Sequence, residues 1–300
     1  MDMIARIREA AAKHDTLILA HNYTEAVIQE AADFTGDSLE LAFKAKASGA
    51  KRVVVCGVRF MAETAKLLMP DAEVLHPAPE SGCPMADTAS GEAVRQLRQQ
   101  HPDAVAVCYV NSTAEVKAEV DICCTSGNVD KIIASIPEAK EIIFIPDANL
   151  GANMERKTGR KFILWNGCCP IHDALTGKDI EDARRMHPGW PVLVHPECRP
   201  DVVAVCDEAL STAGIIKRVR ESDAPGFIIA TECGLLPRLV RENPHKRFVA
   251  ASGCMLCKDM KLFTPELLIR CIETGNYPVE LPPELADRAR LPIERMLAVK

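Results

Sequence analysis

Thirteen cysteines are the residues of this 300-residue chain with the most unusual chemical potential. Five of them follow short apolar runs at matching places, namely Cys83, the pair Cys168 and Cys169, and the pair Cys254 and Cys257. The Gly-Cys step that includes one member of each set recurs after 85 and then 86 residues. Three thiolates that meet at one point are typical of a 4Fe-4S cluster, in which the fourth iron is left free to act as a Lewis acid.

Other interpretations of these thiols stay open. The CxxC spacing of Cys254 and Cys257 is also typical of half a zinc site or of a redox pair. A second CxxC does not occur in the sequence, and His172 is the imidazole nearest to Cys168 and Cys169. The Gly-Cys register by itself favours Cys168 and Cys254 as ligands. The remaining eight cysteines lie mostly in apolar segments, where we interpret them as core residues.

A second group of candidate residues follows three apolar runs that recur at nearly constant spacing. His21 and Tyr109 are 88 residues apart, and Tyr109 and His195 are 86 residues apart. Because ligands bind at the carboxyl ends of parallel strands, the three segments would present their polar groups to a shared centre. The side chains concerned are those of His21, Asn22, Tyr23, Tyr109, Asn111, Ser112, His195 and Glu197.

Hydroxyl groups also occur at the starts of three helix-period segments, in the motifs at 36–38, 125–127 and 211–214. Such hydroxyls can act simply as helix caps. Three helix N-termini that converge would in addition bind carboxylate or phosphate groups through backbone N–H groups and the helix dipole. The pattern therefore favours a substrate, or two substrates, with several anionic groups.

These candidate residues all lie on a repeat of about 86 residues. Each repeat has three apolar runs separated by helix-period segments, which is typical of βαβ units with parallel sheets. We therefore predict an α/β fold with three similar α/β/α units in a pseudo-threefold arrangement, at 1–85, 86–171 and 172–260. The segment 261–300 is predicted to be helical and to pack back on the first unit.

The predicted elements have the following bounds. The strands are predicted at 17–23, 52–56, 73–75, 104–113, 141–145, 161–165, 191–197, 226–230 and 246–251. The helices predicted between them include 39–48, 60–69, 129–136, 215–221 and 235–242. A further helical segment is predicted at 1–13.

Composition excludes several classes of protein. Hydrophobic residues make up 48% of the chain and charged residues 26%, as in ordinary globular proteins. The net charge of −6 argues against a surface that binds nucleic acid. We find neither an apolar run of about 20 residues, which a membrane helix requires, nor a secretion signal. We therefore expect a cytoplasmic protein that binds neither nucleic acid nor membrane, and no disulfide scaffold.

Short motifs along the chain share an order that is more specific than any one of them. They are HNY at 21–23, GDS at 36–38, GCPMAD at 82–87, YVNS at 109–112, TSGN at 125–128, PDANLG at 146–151, WNGCCPIH at 165–172, HPEC at 195–198, STAG at 211–214, TECG at 231–234 and CxxM at 257–260. Together they resemble the quinolinate synthase family over nearly the whole chain.

The resemblance implies a transferase of de novo NAD biosynthesis, which condenses iminoaspartate with dihydroxyacetone phosphate to quinolinate and releases phosphate and water. It implies three α/β/α units around one central 4Fe-4S cluster per chain. By motif, the ligands of that cluster fall on Cys83, Cys169 and Cys257. An L-aspartate oxidase or dehydrogenase that supplies iminoaspartate is an implied partner.

The resemblance also assigns roles to side chains. The substrate-binding positions fall on His21, Ser38, Tyr109, Asn111, Ser126, His172, His195, Glu197 and Thr212. We expect the proton affinity of Glu197 to rise near anionic substrates, which suits a general base or acid, and we expect Tyr23 and His21 to carry protons. Two other functions stay open: a cluster-dependent hydro-lyase of a hydroxy acid, and a zinc-stabilised or thiol-based anion sensor without catalysis.

Overall fold

Short apolar runs form three four-stranded parallel sheets in the computed structural model, which describes residues 2–253 and 255–299. The first sheet has the order β2-β1-β3-β4, with β1 Leu17–His21, β2 Phe34–Gly36, β3 Arg52–Cys56 and β4 Glu73–Leu75. The second has the order β6-β5-β7-β8, with β5 Val105–Tyr109, β6 Ile122–Cys124, β7 Ile142–Ile145 and β8 Phe162–Leu164. The third has the order β10-β9-β11-β12, with β9 Val192–Val194, β10 Glu208–Ala209, β11 Gly226–Ala230 and β12 Arg247–Ala250.

The same strand order in each sheet confirms the predicted fold of three similar α/β units with small parallel sheets. Strands β7 and β11 are buried at every residue, as expected when helices cover both faces of a parallel sheet. The strands β2, β6 and β10 were not predicted. Each has only two or three residues at a sheet edge.

Helices connect the strands and cover the sheets. Their bounds are α1 Met3–Lys13, α2 Ala26–Ala31, α3 Ser38–Ser48, α4 Arg59–Leu68, α5 Gly91–Gln100, α6 Ala114–Lys117, α7 Val129–Ser135, α8 Ala148–Thr158, α9 Pro170–Asp173, α10 Gly177–Met186, α11 Pro200–Val203, α12 Thr212–Glu221, α13 Leu235–Glu242, α14 Pro265–Thr274 and α15 Pro283–Ala298. Two 3₁₀ turns lie at Ala86–Thr88 and Asp259–Lys261. Among the residues that the structure describes, no helix has both the length and the apolar composition of a membrane span.

Side-chain caps fix where the helices near the site begin. Asp37 accepts hydrogen bonds from the backbone N–H groups of Leu39 and Glu40, and the Glu40 carboxylate accepts the N–H of Asp37 in return. This capping box starts α3 at Ser38. The Ser211 hydroxyl accepts the N–H of Gly214 and starts α12 in the same manner.

The apolar core links the units unequally. One core cluster combines residues of the first and third sheets, such as Val55 and Phe227. The second sheet has a separate cluster, which includes Phe144 and also Ile293 and Met296 of α15. The first and third units thus share a packed face, whereas the second unit is completed by the last helix.

The two C-terminal helices have different main partners. Helix α14 packs against α1, in a cluster with the first sheet. Helix α15 packs mainly against α6 and β6 of the second unit and also contacts α4 of the first unit. The reason is the apolar face formed by Ala289, Ile293 and Met296, which is buried in the core of the second unit.

Candidate active site

The carboxyl ends of the three sheets meet around one cavity of about 280 Å³. It brings together the predicted ligand, substrate and catalytic residues His21, Tyr23, Ser38, Cys83, Tyr109, Asn111, Ser126, Cys169, His172, His195, Glu197, Thr212 and Cys257. Asn22 and Ser112, which the strand-end pattern also selected, do not line it. Instead, the Asn22 side chain donates to Thr212 Oγ1 at 2.9 Å, and the Ser112 hydroxyl donates to the Tyr109 carbonyl at 2.9 Å.

Glu197 is the centre of the polar groups in this cavity. Glu197 is only 4% exposed. The Tyr109 hydroxyl donates to Glu197 Oε1 at 2.5 Å, and His172 Nδ1 lies 2.9 Å from Oε2. The amide of Asn111 donates to Oε1 at 3.4 Å. Groups from the second and third units thus hold one carboxylate in a fixed orientation.

The backbone around Glu197 is also held from the second unit. Asn153 on α8 donates from Nδ2 to the carbonyl of Pro196 at 2.9 Å and to that of Cys198 at 2.8 Å. These two carbonyls flank Glu197 in the turn that follows β9. The His195 ring accepts the N–H of Glu197 at 3.3 Å. Because both sides of the residue are anchored, the carboxylate has little freedom to move.

The pKa of Glu197 lies below its usual range. Burial alone would raise this pKa, but the nearby His195 and His172 rings and the hydrogen bonds from His172 and Tyr109 lower it by more. We expect bound anionic substrates to raise the pKa of Glu197, whereas the protein's own groups lower it. Glu197 is therefore an ionised carboxylate at neutral pH.

Tyr23, Tyr109, His21 and His195 are neutral at neutral pH. Burial, followed by the nearby Glu197, raises the pKa of Tyr23 and of Tyr109 well above the usual value. Burial lowers the pKa of His21 to about 3 and that of His195 to about 4. At neutral pH the cavity therefore offers the hydroxyls of Tyr23 and Tyr109 and the uncharged imidazoles of His21 and His195 around the Glu197 carboxylate.

A chain of hydrogen bonds leads from Tyr23 to Glu197. The Tyr23 hydroxyl lies 2.6 Å from Thr231 Oγ1, which lies 2.9 Å from His172 Nε2. The ring then reaches Glu197 through Nδ1. Thr231 received no role from the sequence, although it follows β11 directly and the strand-end rule used for the other residues would have found it.

The three predicted ligand cysteines occupy equivalent local structures. Cys83 and Cys257 lie shortly before the 3₁₀ turns Ala86–Thr88 and Asp259–Lys261, and Cys169 is the N-cap of α9. Burial raises the pKa of each thiol, to about 12 for Cys83, while backbone N–H groups of the following turn oppose that rise. Such N–H groups favour the thiolate, which is the form that binds metals.

The thiols of Cys83, Cys169 and Cys257 line one cavity, where they could bind a metal group through sulfur. Cys169 Sγ, a ring nitrogen of His172 and a carboxylate oxygen of Glu197 lie within 4.8 Å of one another and form a candidate metal site. Soft thiolate ligands select iron–sulfur clusters or zinc. Cys168, which the Gly-Cys register favoured, is not among the residues that line the cavity. Cys254 lies outside the described residues, and with it the idea of a Cys254–Cys257 disulfide.

The predicted anion-binding hydroxyls surround another part of the cavity. Ser38 and Thr212 are the first residues of α3 and α12. The Ser126 hydroxyl lies 3.2 Å from His195 Nε2, in the loop between β6 and α7. Arg238 donates to the side-chain oxygen of Asn22 at 2.6 Å, and Asn22 in turn donates to Thr212. Hydroxyl groups from three units therefore face the same space.

Comparison with known proteins gives one consistent family. The family model described as quinolinate synthetase A protein matches residues 5–298. A quinolinate synthase of Methanoregula boonei is 47% identical over 296 residues, which cover 99% of this chain and 97% of that protein. A quinolinate synthase of Aquifex aeolicus is 46% identical and covers 97% of this chain and 92% of its own length. One of Dehalococcoides mccartyi is 45% identical, with 98% and 97% covered.

Proposed function

Because this chain belongs to the quinolinate synthase family, we propose that it condenses iminoaspartate with dihydroxyacetone phosphate to quinolinate. The balanced reaction releases one phosphate and two water molecules. The observation that carries the proposal is the convergence of the three strand-end segments on one cavity, with Glu197 at its centre. Both substrates are small and anionic, in agreement with the hydroxyl groups around that cavity.

The cofactor of the proposed reaction is a 4Fe-4S cluster held by Cys83, Cys169 and Cys257. These are the thiols that line the cavity among the described residues. When bound, such a cluster supplies a Lewis-acidic iron that polarises a substrate carboxylate or hydroxyl. The side chain of Cys169 lies 3.2 Å from His172 Nδ1, so the cofactor and the acid–base groups would adjoin.

Glu197 is the general base of the proposal. It removes a carbon-bound proton next to the carbonyl or imine in the enolisation and tautomerisation steps. Tyr109 and His172 orient the carboxylate and keep it ionised. The chain through Thr231 allows Tyr23 to exchange a proton with Glu197 without contact with bulk water. A positioned base of this kind contributes roughly 10²- to 10⁴-fold to a rate.

The remaining groups of the cavity bind the substrates. The hydroxyls of Ser38, Ser126 and Thr212 receive carboxylate and phosphate oxygens. Neutral His21 and His195 add donors without a charge that would need to be desolvated. The buried Oδ1 of Asn111 has no hydrogen-bond partner among the described residues, so it is free to accept one from a substrate hydroxyl or imine.

The test is an anaerobic assay with the purified chain. Dihydroxyacetone phosphate is supplied together with iminoaspartate, which an L-aspartate oxidase or dehydrogenase generates in the same vessel. Formation of a pyridine dicarboxylate, with about four iron and four sulfide per chain, supports the proposal. Dehydration of a hydroxy acid without a new carbon–carbon bond would indicate a hydro-lyase. One zinc and no sulfide per chain would reject the cluster.

A further inference from the structure

An ion pair between a buried glutamate and a partly buried lysine lies at the edge of the cavity and has no part in the reaction described above. Glu232, in the turn after β11, is 1% exposed. Lys261, at the end of the turn Asp259–Lys261, places its Nζ 3.1 Å from Glu232 Oε1. Removing a charged pair from water costs several kcal/mol unless further hydrogen bonds satisfy both groups. The contacts of this pair therefore indicate what it holds in place.

Glu232 holds the segment that contains Cys257. Its Oε1 accepts the backbone N–H of Cys257 at 3.1 Å, and its Oε2 accepts the N–H of Gly234 at 2.6 Å. The N–H of Cys233 also donates to the carbonyl of Met255 at 2.9 Å. Hydrogen bonds from a backbone N–H to a charged acceptor are roughly twice as strong as neutral ones.

Lys261 extends the same connection to the first unit. Its Nζ donates to the carbonyl of Tyr23 at 2.5 Å. The Tyr23 hydroxyl is bonded to Thr231, the residue before Glu232. Both ends of Tyr23 are thus tied to residues 231–232, directly or through Lys261. The ion pair thus connects Tyr23, at one end of the hydrogen-bond chain to Glu197, with the backbone of Cys257, a proposed cluster ligand.

We propose that Glu232 and Lys261 are positioning residues that fix the backbone of Cys257 relative to Tyr23. The statement about cluster binding rests on the proposed function, because it takes Cys257 as a ligand. The statement about the backbone does not. Loss of a group that is hydrogen-bonded to a metal ligand and orients it typically reduces metal affinity or activity by 10- to 100-fold.

The test compares Glu232→Gln, Lys261→Met and the double variant with the wild type, all as full-length protein purified anaerobically. Asp207→Asn is the matched control, because it removes a carboxylate from the same unit at the other end of the sheet. One measurement is the hydrogen exchange rate of the Cys257 amide. The other is the rate at which iron is lost to a chelator, followed by the visible absorbance of the cluster.

In each single variant we expect both rates to rise about tenfold. The double variant should resemble the single variants, because the two side chains act as one unit. Asp207→Asn should leave both rates unchanged. Lys261→Met keeps the stem of the side chain, so it decides the matter if Glu232→Gln fails to fold.

Exchange within twofold of the wild type in Lys261→Met would overturn the proposal. Faster exchange of the Cys257 amide with an unchanged rate of iron loss would also overturn it, because the position of the backbone would then have no effect on iron binding by Cys257. A wild-type protein that binds no iron would reject the proposed cofactor. The exchange rates would still decide whether the ion pair fixes the backbone.

Discussion

The amino ends of the three sheets repeat one arrangement of residues, whereas the carboxyl ends differ in part from unit to unit. At the amino ends, all three units have the same pair of hydrogen bonds. In each unit, an aspartate side chain accepts the backbone N–H of a residue in the first strand of that unit, and the backbone N–H of the aspartate donates to the carbonyl of the same residue. The acceptor distances are 2.7, 2.8 and 2.7 Å. The three pairs are Asp33 with Ile18, Asp121 with Ala106, and Asp207 with Val192.

At the carboxyl ends, the thiols and the hydroxyls of Ser38, Ser126 and Thr212 repeat, whereas the acid–base groups do not. Each unit contributes one cysteine to the cavity, followed by a short helical turn. The acid–base groups differ, since Glu197 occurs in the third unit and its donors Tyr109 and Asn111 come from the second. The scaffold is therefore symmetric where it supports folding, whereas the site repeats its thiols and hydroxyls but not its acid–base groups.

The largest expected effect tests the symmetric part of the carboxyl ends. Cys169→Ser should abolish quinolinate formation and reduce bound iron and sulfide, because it removes one of three thiolates. Cys168→Ser, one residue away, should keep both near the wild-type level. Iron, sulfide and product are measured under anaerobic conditions. Loss of iron in Cys168→Ser alone would move the ligand to the position that the Gly-Cys register favours.

The next effect tests the asymmetric part. Glu197→Gln keeps the shape of the side chain but cannot accept a proton, so turnover should fall by roughly 10³-fold. Bound iron should not change. The comparison uses Glu181→Gln, at an exposed position of α10, which should have wild-type turnover. Near-normal turnover of Glu197→Gln would contradict its role as the base.

A smaller effect tests the chain between Tyr23 and Glu197. Thr231→Val preserves the volume but removes the hydroxyl that joins Tyr23 to His172, so kcat should fall about tenfold with little change in KM. Thr231→Ser restores the hydroxyl and should recover most of the rate. Equal kcat values for the valine and serine variants would show that protons reach Glu197 by another route.

The smallest effect belongs to the amino ends. Asp33→Ala, Asp121→Ala and Asp207→Ala each remove one acceptor of a strand N–H, so each should lower the free energy of unfolding by about 1 kcal/mol. Turnover per folded molecule should stay unchanged. Urea unfolding and the anaerobic assay measure the two quantities. A selective loss of turnover in one variant would mean that the two ends of the sheets are coupled.

The sequence predicts the central strands and several of the helices, because each has its own apolar pattern. Helix α13, for example, has the predicted bounds 235–242. The amino-end aspartates were missed because Asp33, Asp121 and Asp207 directly precede the edge strands β2, β6 and β10, which were not predicted. Their function depends on a partner that precedes each of them by 15 residues.

The polar network of the site depends on contacts between distant segments. Tyr23 meets Thr231 across 208 positions and Lys261 across 238 positions of sequence. A motif shows the residue type at each position but not which side chains face each other. The repeat therefore predicts that the segments meet at one centre, whereas the roles of Glu232 and Lys261 depend on the three-dimensional arrangement.

The position of α15 has a consequence for the order of folding. The core of the second unit contains Phe144 and also Ile293 and Met296, about 150 positions later. The core of the first unit includes Ile272 of α14, and the first and third units share a packed face. A ribosome therefore releases the second unit without its final helix. Although the chain is a threefold repeat, its units cannot mature one after another during translation, and the second is completed last.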